Sequence, residues 1–340
     1  MATIKDIAKN LDLSFSTVSR ALNNHPAISK KTKQLVEAEA LRLNFAFNTS
    51  AKSLTSNKAY TITLLVNIDD EQSFQNPYFY EEMHGIERFV YQKEYSLIVA
   101  NIKTAPKKQN MIDFLVKSKR TDGIILPSNI IDDELVDKLC NHNIPFVSIG
   151  QPTISNEPIS WVDIDNFRGG QSAAQHLIDN GCKKIAIFGY NPKKFFSQKR
   201  FEGYVAALLA HNLPINKELV ATCGNSKEDG HECAKEILKK HPDVDGIICA
   251  DEMISIGVIR ALNEMKIKVP EQVSIISFDN GQIAQLSFPS ITTIDVDVFE
   301  LGYQSAKLLF DQIEHASNKN QGILIGTAIE LRETTKKKEL

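Results

Sequence analysis

From residue 61 onward, short apolar runs alternate with longer stretches of helical periodicity, and this alternation restricts the possible folds more than any other feature of the chain. Apolar runs at 61–67, 96–100, 123–127, 145–149 and 161–164 are separated by helical patterns at 78–92, 107–119 and 132–143. The rhythm then repeats, with runs at 184–190, 219–223, 246–250 and 273–278 and helical patterns at 169–180, 199–211, 227–239 and 254–265. Strands that alternate with helices pair in parallel and are covered on both faces. The pattern predicts an α/β body of two doubly wound lobes of similar build. Such sheets bind ligands off the carboxyl ends of their strands, where strand order reverses. The closing pieces are an apolar run at 291–295, a helix at 299–313 and a strand at 323–331, too little chain for a third domain. One arrangement that accommodates them returns the helix to the first lobe and the final strand to the second, with three crossovers.

The first 58 residues follow a different pattern. Two short helical patterns, at 4–10 and 14–22, stand a turn apart. Ile7, Ala8, Leu11 and Leu13 can face Val18, Ala21 and Leu22 across one apolar seam, leaving Phe15, Ser16, Thr17, Ser19 and Arg20 outward. That outward set suits a helix laid in the major groove: hydroxyls for phosphates and base edges, an arginine for guanine, an aromatic for thymine methyls. A short amphipathic pair with such an exterior also occurs away from DNA. Ser29 is a good N-cap for a third helix at 30–43, whose Leu35, Val36, Ala38, Ala40, Leu41 and Leu43 can close a three-helix core. Residues 1–58 carry nine Lys/Arg against four acids, a net of +5, while the whole chain is −3; the remainder is therefore about −8. A basic head on an acidic body suits one-ended grip on phosphates, although a solvated basic face has the same composition.

The 340 residues, 42% of them hydrophobic, can build more than one core. No apolar run is long enough to span a bilayer, and the chain opens directly into a polar helix pattern, so a cytoplasmic protein without a leader is expected. Five scattered cysteines point to reduced packing thiols. No CxxC, HExxH or Walker loop is present, and the adjacent side chains of His231, Glu232 and Cys233 diverge around a helix, so neither metal nor cofactor is expected.

TIKDIA, S-x-x-TVSRALN, the IS-x-x-T opening of the third helix and N-x-x-AKSL resemble the headpiece and hinge of the lactose-repressor (LacI/GalR) family of bacterial transcription regulators. Through the body the resemblance continues in NPYF, TDGIILP, DN-x-x-GG-x-x-A-x-x-HLI, R-x-x-GY, ICADEMISIGVIRAL, VPEQVSIISFDN and PSITTI. Two departures stand out. Asp12 replaces the usual turn glycine, and aspartate tolerates the left-handed backbone such a turn needs. Lys52 replaces the usual hinge arginine, keeping the charge but losing the planar fork.

The resemblance implies an N-terminal helix-turn-helix headpiece at 1–46, a hinge helix at 47–58 and an effector-binding and dimerisation domain at 59–335 similar to periplasmic sugar-binding proteins. Lobe one would span about 60–162 plus 292–320, and lobe two 163–290 plus 321–333. DNA contacts are implied for Thr3, Ser14, Phe15, Ser16, Thr17, Ser19, Arg20 and Asn23, and for the hinge residues Asn48, Ala51, Lys52 and Leu54. The hinge is too short and polar to be a stable helix alone, so it is expected to fold on the correct DNA, with Leu54 wedged into the minor groove.

Effector contacts are implied for Tyr78, Phe79, Asp165, Arg200, Asp251 and Asp279. Arg200 would hold hydroxyls or a carboxylate with its fork, and the carboxylates would accept from vicinal hydroxyls. Several have other plausible uses: the aromatics as lobe-one packing, Asp251 and Asp279 as helix caps. Asn166 stands beside Asp165 at the crossover and can join the set; Trp161 reads as core. The implied function is a ligand-controlled, dimeric DNA-binding regulator, most simply a repressor of a pseudo-palindromic operator. The implied effector is a sugar or sugar phosphate, with a purine as alternative. The C-terminus has no leucine heptad, so no tetramer is expected. A transport-type solute binder and a doubly wound enzyme are the competing classes. The basic headpiece counts against the first. The lack of a Ser–His–Asp or paired-carboxylate arrangement counts against the second.

Overall fold

The computed structural model describes residues 2–22, 25–45, 56, 58–67, 77–104, 110–153, 158–315 and 320–336, in two compact units, Met1–Lys58 and Ala59–Leu340. Asn23, Asn48, Ala51, Lys52 and Leu54, and with them nearly all of the hinge, lie outside the described residues.

The first unit is a three-helix headpiece: α1 (Ile4–Leu11), α2 (Phe15–Leu22) and α3 (Lys30–Arg42). Thr3 and Asp6 form a capping box at the start of α1, the Thr3 N–H and hydroxyl each donating to Asp6 Oδ2 at 2.8 Å. Asp12 ends the helix at φ 52°, ψ 43°, the left-handed conformation the turn demands of it. Ser29 caps α3 by accepting from the Thr32 N–H at 3.1 Å. Ile7, Ala8, Val18, Ala21, Val36 and Ala40 form the core. The third helix buries a narrower stripe than its composition suggests. Leu35 and Leu41 are 51% and 83% exposed, and Ala38 is exposed beside them. Glu39 occupies part of the seam instead, because Asn10 Nδ2 donates to it at 2.7 Å and Arg42 grips it with two N–H groups at 2.7 Å each.

The second unit holds two six-stranded sheets. The first is built from β1 (Thr61–Val66), β2 (Ser96–Asn101), β3 (Gly123–Pro127), β4 (Phe146–Ile149) and β5 (Trp161–Ile164), with helices α4 (Pro77–Gln92), α5 (Met111–Lys117) and α6 (Asp133–Asn141) between strands. The second contains β6 (Ile185–Phe188), β7 (Val220–Ala221), β8 (Gly246–Cys249), β9 (Ser274–Phe278) and β10 (Thr292–Val296). Its helices are α7 (Asn166–Asp179), α8 (Phe195–Ala210), α9 (Lys227–Lys240), α10 (Glu252–Glu264) and the short α11 (Gln282–Leu286). The chain then adds α12 (Val298–Glu314), β11 (Gly322–Ile325) and β12 (Thr327–Glu330).

The strand orders are β11-β5-β4-β3-β1-β2 and β12-β10-β9-β8-β6-β7, one doubly wound plan used twice. The central strands β3, β6, β8 and β9 are buried almost throughout, as parallel strands between helix layers must be, while β2, β7 and β12 are more open.

Two placements differ from the sequence reading. Residues 292–296 pair with β9 in the second sheet and do not begin lobe one. The apolar stretch 323–331 is two strands, β11 parallel to β5 in the first sheet and β12 antiparallel to β10 in the second. Gly326 separates them, so one apolar run serves both sheets. Periodicity records that a strand is buried, not which sheet edge buries it. Helix α12 packs on α4, β3, β4 and β5, which makes three crossovers between lobes.

Candidate functional site

The carboxyl ends of β5, β6, β8 and β9 open onto one cleft of about 450 Å3. Lobe two supplies most of the lining: Asn191, Lys194, Phe196, Ser197, Arg200, Asn225, Asp251 and Asp279 among others, with Tyr78 and Asp163 from lobe one. Most lie on loops just after strands or in the first turns of helices, with Asp163 still within β5 and Arg200 in the second turn of α8, around the strand ends where doubly wound sheets hold ligands.

Arg200 is the organising group. It lies on α8, whose approach to α7 leaves no space for side chains: a Cβ on Gly170 would lie 1.9 Å from the Arg200 carbonyl oxygen, and one on Gly203 2.0 Å from that of Phe167. Those glycines bring the arginine backbone against the start of the crossover helix. Its Nε donates to Asn166 Oδ1 at 2.9 Å and its Nη1 to the Ala250 carbonyl at 3.0 Å, while the guanidinium lies 3.8 Å from the centre of the Phe278 ring. A charge pinned on three sides in this way is preorganised for a ligand.

Three carboxylates face it. Asp279 follows β9 at φ 76°, and burial raises its pKa to about 7, Arg200 pulling it down and Asp251 and Glu252 pushing it further up. Asp251 and Asp163 are also raised, chiefly by burial. Asp163 accepts from the Gln151 N–H at 3.0 Å and from Asn166 Nδ2 at 3.3 Å, which links it through Asn166 to Arg200. One half-buried guanidinium therefore stands among several acceptors that burial has desolvated.

The expected residues divide as follows. Tyr78, Arg200, Asp251 and Asp279 come together at the cleft. Asp251 also caps α10, accepting from the Ile254 N–H at 2.9 Å, so capping and cleft lining coexist in one side chain. Asp165 does not line the cleft. It is the N-cap of α7, accepting from the Arg168 N–H at 3.0 Å, and its neighbours Asp163 and Asn166 face the cavity instead. The reason is register: α7 starts three residues earlier than its apolar pattern, which turns residue 165 into the cap. Phe79 packs on the main hydrophobic core and meets Tyr80 edge-on at 5.6 Å; unlike its neighbour Tyr78 it does not line the cleft. Asn191, Lys194, Phe196, Ser197 and Asn225 also line the cleft; they carry no periodic signal, because Asn191, Lys194 and Asn225 lie in strand-to-helix loops and Phe196 and Ser197 in the first turn of α8, ahead of its apolar pattern. The one clue was their position after apolar runs.

Among the described residues no group of three or more His, Cys, Asp and Glu side chains is placed to hold a metal. His231 bonds Glu232 and Glu264 at 3.0 and 2.9 Å, and Cys233 turns toward Cys223.

In the headpiece, Ser14 lies just before α2 and accepts from the Thr17 N–H at 3.1 Å, its hydroxyl within 2.9 Å of Ser16 and 2.8 Å of Thr17. Ser14, Ser16 and Arg20 are exposed, Phe15 is 54% exposed, and Thr17 and Ser19 are half-buried. Thr3 is held in its capping box at the other end of α1. The start of α2 thus presents a ring and interlinked hydroxyls, and Arg20 in its last turn is exposed as well.

Residues 3–48 match the model of the bacterial regulatory proteins of the lacI family, and residues 60–335 match that of periplasmic binding proteins and the sugar-binding domain of the LacI family. The chain belongs to the LacI family. It is 32% identical over 338 residues to the HTH-type transcriptional repressor PurR of Histophilus somni (strain 2336), covering 99% of both chains. It is 31% identical over 340 residues to the PurR repressor of Mannheimia succiniciproducens, again across 99% of each. Among solved structures, a complex of the regulator CelR with cellobiose superposes with a TM-score of 0.73 at 25% identity, covering 98% of this chain and 100% of that one. A LacI-family regulator from Enterococcus faecium with bound ribose gives 0.67 at 29% identity, over 81% of this chain and 98% of that one. This LacI-family chain is therefore a DNA-binding transcriptional regulator with a ligand-binding domain, and no described helix is long and apolar enough to cross a membrane.

Proposed function

We propose that this regulator is a repressor that binds a pseudo-palindromic operator as a homodimer in the bacterial cytoplasm, and that an unphosphorylated sugar in the cleft controls it without being chemically altered. The observation that carries the ligand class is the charge balance of the site. Asp163, Asp251 and Asp279 surround Arg200, whose Nε and Nη1 donors are already engaged by Asn166 and Ala250. Carboxylates in excess of free cationic donors welcome hydroxyl groups and repel phosphate. Lys194 at the rim lies 5.6 Å from the Phe196 ring centre, which leaves a partly exposed aromatic at the cleft for a sugar face.

Dimerisation is supported by exposed apolar surface on both lobes. Leu286 and Phe288, at the end of α11, are 83% and 92% exposed; on lobe one Tyr91 is 73% exposed, and Ile98 and Val99 on the edge strand β2 are 38% and 39% exposed. Apolar surface of this kind is expected to be covered by a second copy. Two headpieces would then read half-sites through Ser14, Phe15, Ser16, Thr17, Ser19, Arg20 and Asn23, with Thr3 and hinge residues Asn48, Ala51 and Lys52 on the backbone and Leu54 in the minor groove. Ligand binding would act by changing the fraction of dimers whose hinges are spaced for DNA.

The test is a thermal-shift panel of free sugars, sugar phosphates and purines on the purified chain, followed by operator retardation at several salt concentrations. Stabilisation by a free sugar that also alters a salt-dependent operator shift is expected. Stabilisation by phosphorylated sugars or purines alone overturns the ligand class, and turnover of the ligand overturns the regulator reading.

A further inference from the structure

We propose that Glu252 is a positioning residue for the cleft: together with Arg332 it clamps the turn at 279–281 and so aims the carboxylate of Asp279 at the ligand. The inference rests on the reading that Asp279 binds the effector.

Asp279 adopts φ 76°, a region that residues other than glycine rarely enter, so the surrounding structure must impose it. Three attachments do so. The Asp279 N–H donates to the Ile294 carbonyl at 3.0 Å, tying the turn to β10. Asn280 Oδ1 accepts from Arg332 Nη2, and Arg332 is itself anchored by Nη1 on the Ile291 carbonyl at 2.7 Å and Thr293 Oγ1 at 3.0 Å. The Gly281 N–H donates to the Glu252 carboxylate, which also accepts from the Ala284 N–H.

Glu252 is 7% exposed, a burial unusual for a carboxylate, and neither it nor Arg332 lines the cleft. It follows Asp251 directly, so the start of α10 offers one carboxylate to the cavity and uses the next to hold the loop bearing another. The fit is close: a Cβ on Gly281 would lie 2.7 Å from Glu252 Oε2. Gly281 has φ −78°, which alanine adopts freely, so Gly281→Ala displaces Glu252 without straining the backbone.

The variants are Glu252→Leu, Glu252→Gln, Gly281→Ala, Asp279→Asn and the Glu252→Leu/Asp279→Asn pair. The first readout is Kd for the free sugar of largest thermal shift in the panel, with D-ribose as reference. Glu252→Leu and Gly281→Ala are expected to weaken binding about tenfold or more. Glu252→Gln, which keeps one acceptor oxygen, restores most of the affinity. The double variant is no weaker than Asp279→Asn alone, whereas general destabilisation would add to it.

The second readout needs no ligand. Asp279 is faced by Arg200 of α8, Asp251 and Glu252 at the start of α10 and Tyr78 of α4. Removing the Glu252 charge should move the pH midpoint of the melting-temperature difference between each chain and its Asp279→Asn counterpart toward acid. Wild-type affinity in Glu252→Leu and Gly281→Ala, or an unmoved midpoint in Glu252→Gln, overturns the positioning role. Wild-type affinity in Asp279→Asn overturns the underlying reading of the cleft instead.

Discussion

In the headpiece the Glu39 side chain is 11% exposed between Arg42 and Asn10, and their hydrogen bonds hold its pKa at about 2. In the cleft Asp279 has an arginine nearby too, yet burial leaves it at about 7. The difference lies in what each partner is already doing. Arg42 gives two N–H groups to Glu39 alone, whereas Arg200 is bonded to Asn166 and Ala250 and stands among three carboxylates. A fully matched carboxylate holds helices together. An undermatched one in a cleft is poised for a ligand that brings its own donors.

The largest expected effect comes from Arg200→Met, which leaves Asp163, Asp251 and Asp279 without their central cation. Calorimetric titration should show the ligand response lost, at least ~100-fold, because the desolvated carboxylates lose the donor that organises them. Wild-type binding in this variant would remove Arg200 from the site.

Next comes pH. A raised carboxylate pKa contributes stability that is complete below the unfolded value and declines as pH rises toward about 7. Asp279→Asn should flatten that decline. Sugar affinity should change in the opposite sense, rising as the pH passes through about 7 and Asp279 ionises into a pure acceptor, and the Asn variant should show no such rise. A profile shared by both chains would assign the titration elsewhere.

Phe15→Ala is expected to relax preference at one half-site position by about 1 kcal/mol, read by retardation on a set of single-base operator variants. A uniform loss on all of them would place Phe15 on the backbone.

The smallest effect is at Glu39, where the sign is reversed. Its depressed pKa contributes stability above the ordinary carboxylate value, lost as the pH falls toward about 2. Amide exchange of α1 and α3 in the full chain should show protection falling over that interval, and Glu39→Gln should abolish the dependence. Equal dependence in both would mean that the Arg42 pair does no structural work.

Much of the fold was legible because its signals are local. The strands at 123–127 and 161–164 match the apolar runs end to end, and Asp12 could be placed in a left-handed turn from the chemistry of its side chain. Errors cluster where a polar residue overrides the pattern. Glu39 takes part of the α3 seam and leaves Leu35 and Leu41 exposed. Asn166 starts α7 early and makes Asp165 a cap. Asp251 and Asp279 stood at readable positions after apolar runs and Arg200 was legible through the resemblance, but Asn191 and Asn225 in loops and Ser197 in the first turn of α8 acquire meaning only from what faces them.

By itself the amino-acid order determined the elements and the two-lobed α/β plan, because helical and strand periodicities are written within a few residues. Tertiary structure alone decided that β10 joins the second sheet, that residues 322–330 divide between both sheets, and that Asp163 and Asp279, far apart in the chain, face the same guanidinium. Those outcomes depend on long-range pairing and on shared desolvation. Neither belongs to any single segment, so both exist only once the lobes have closed around the cleft.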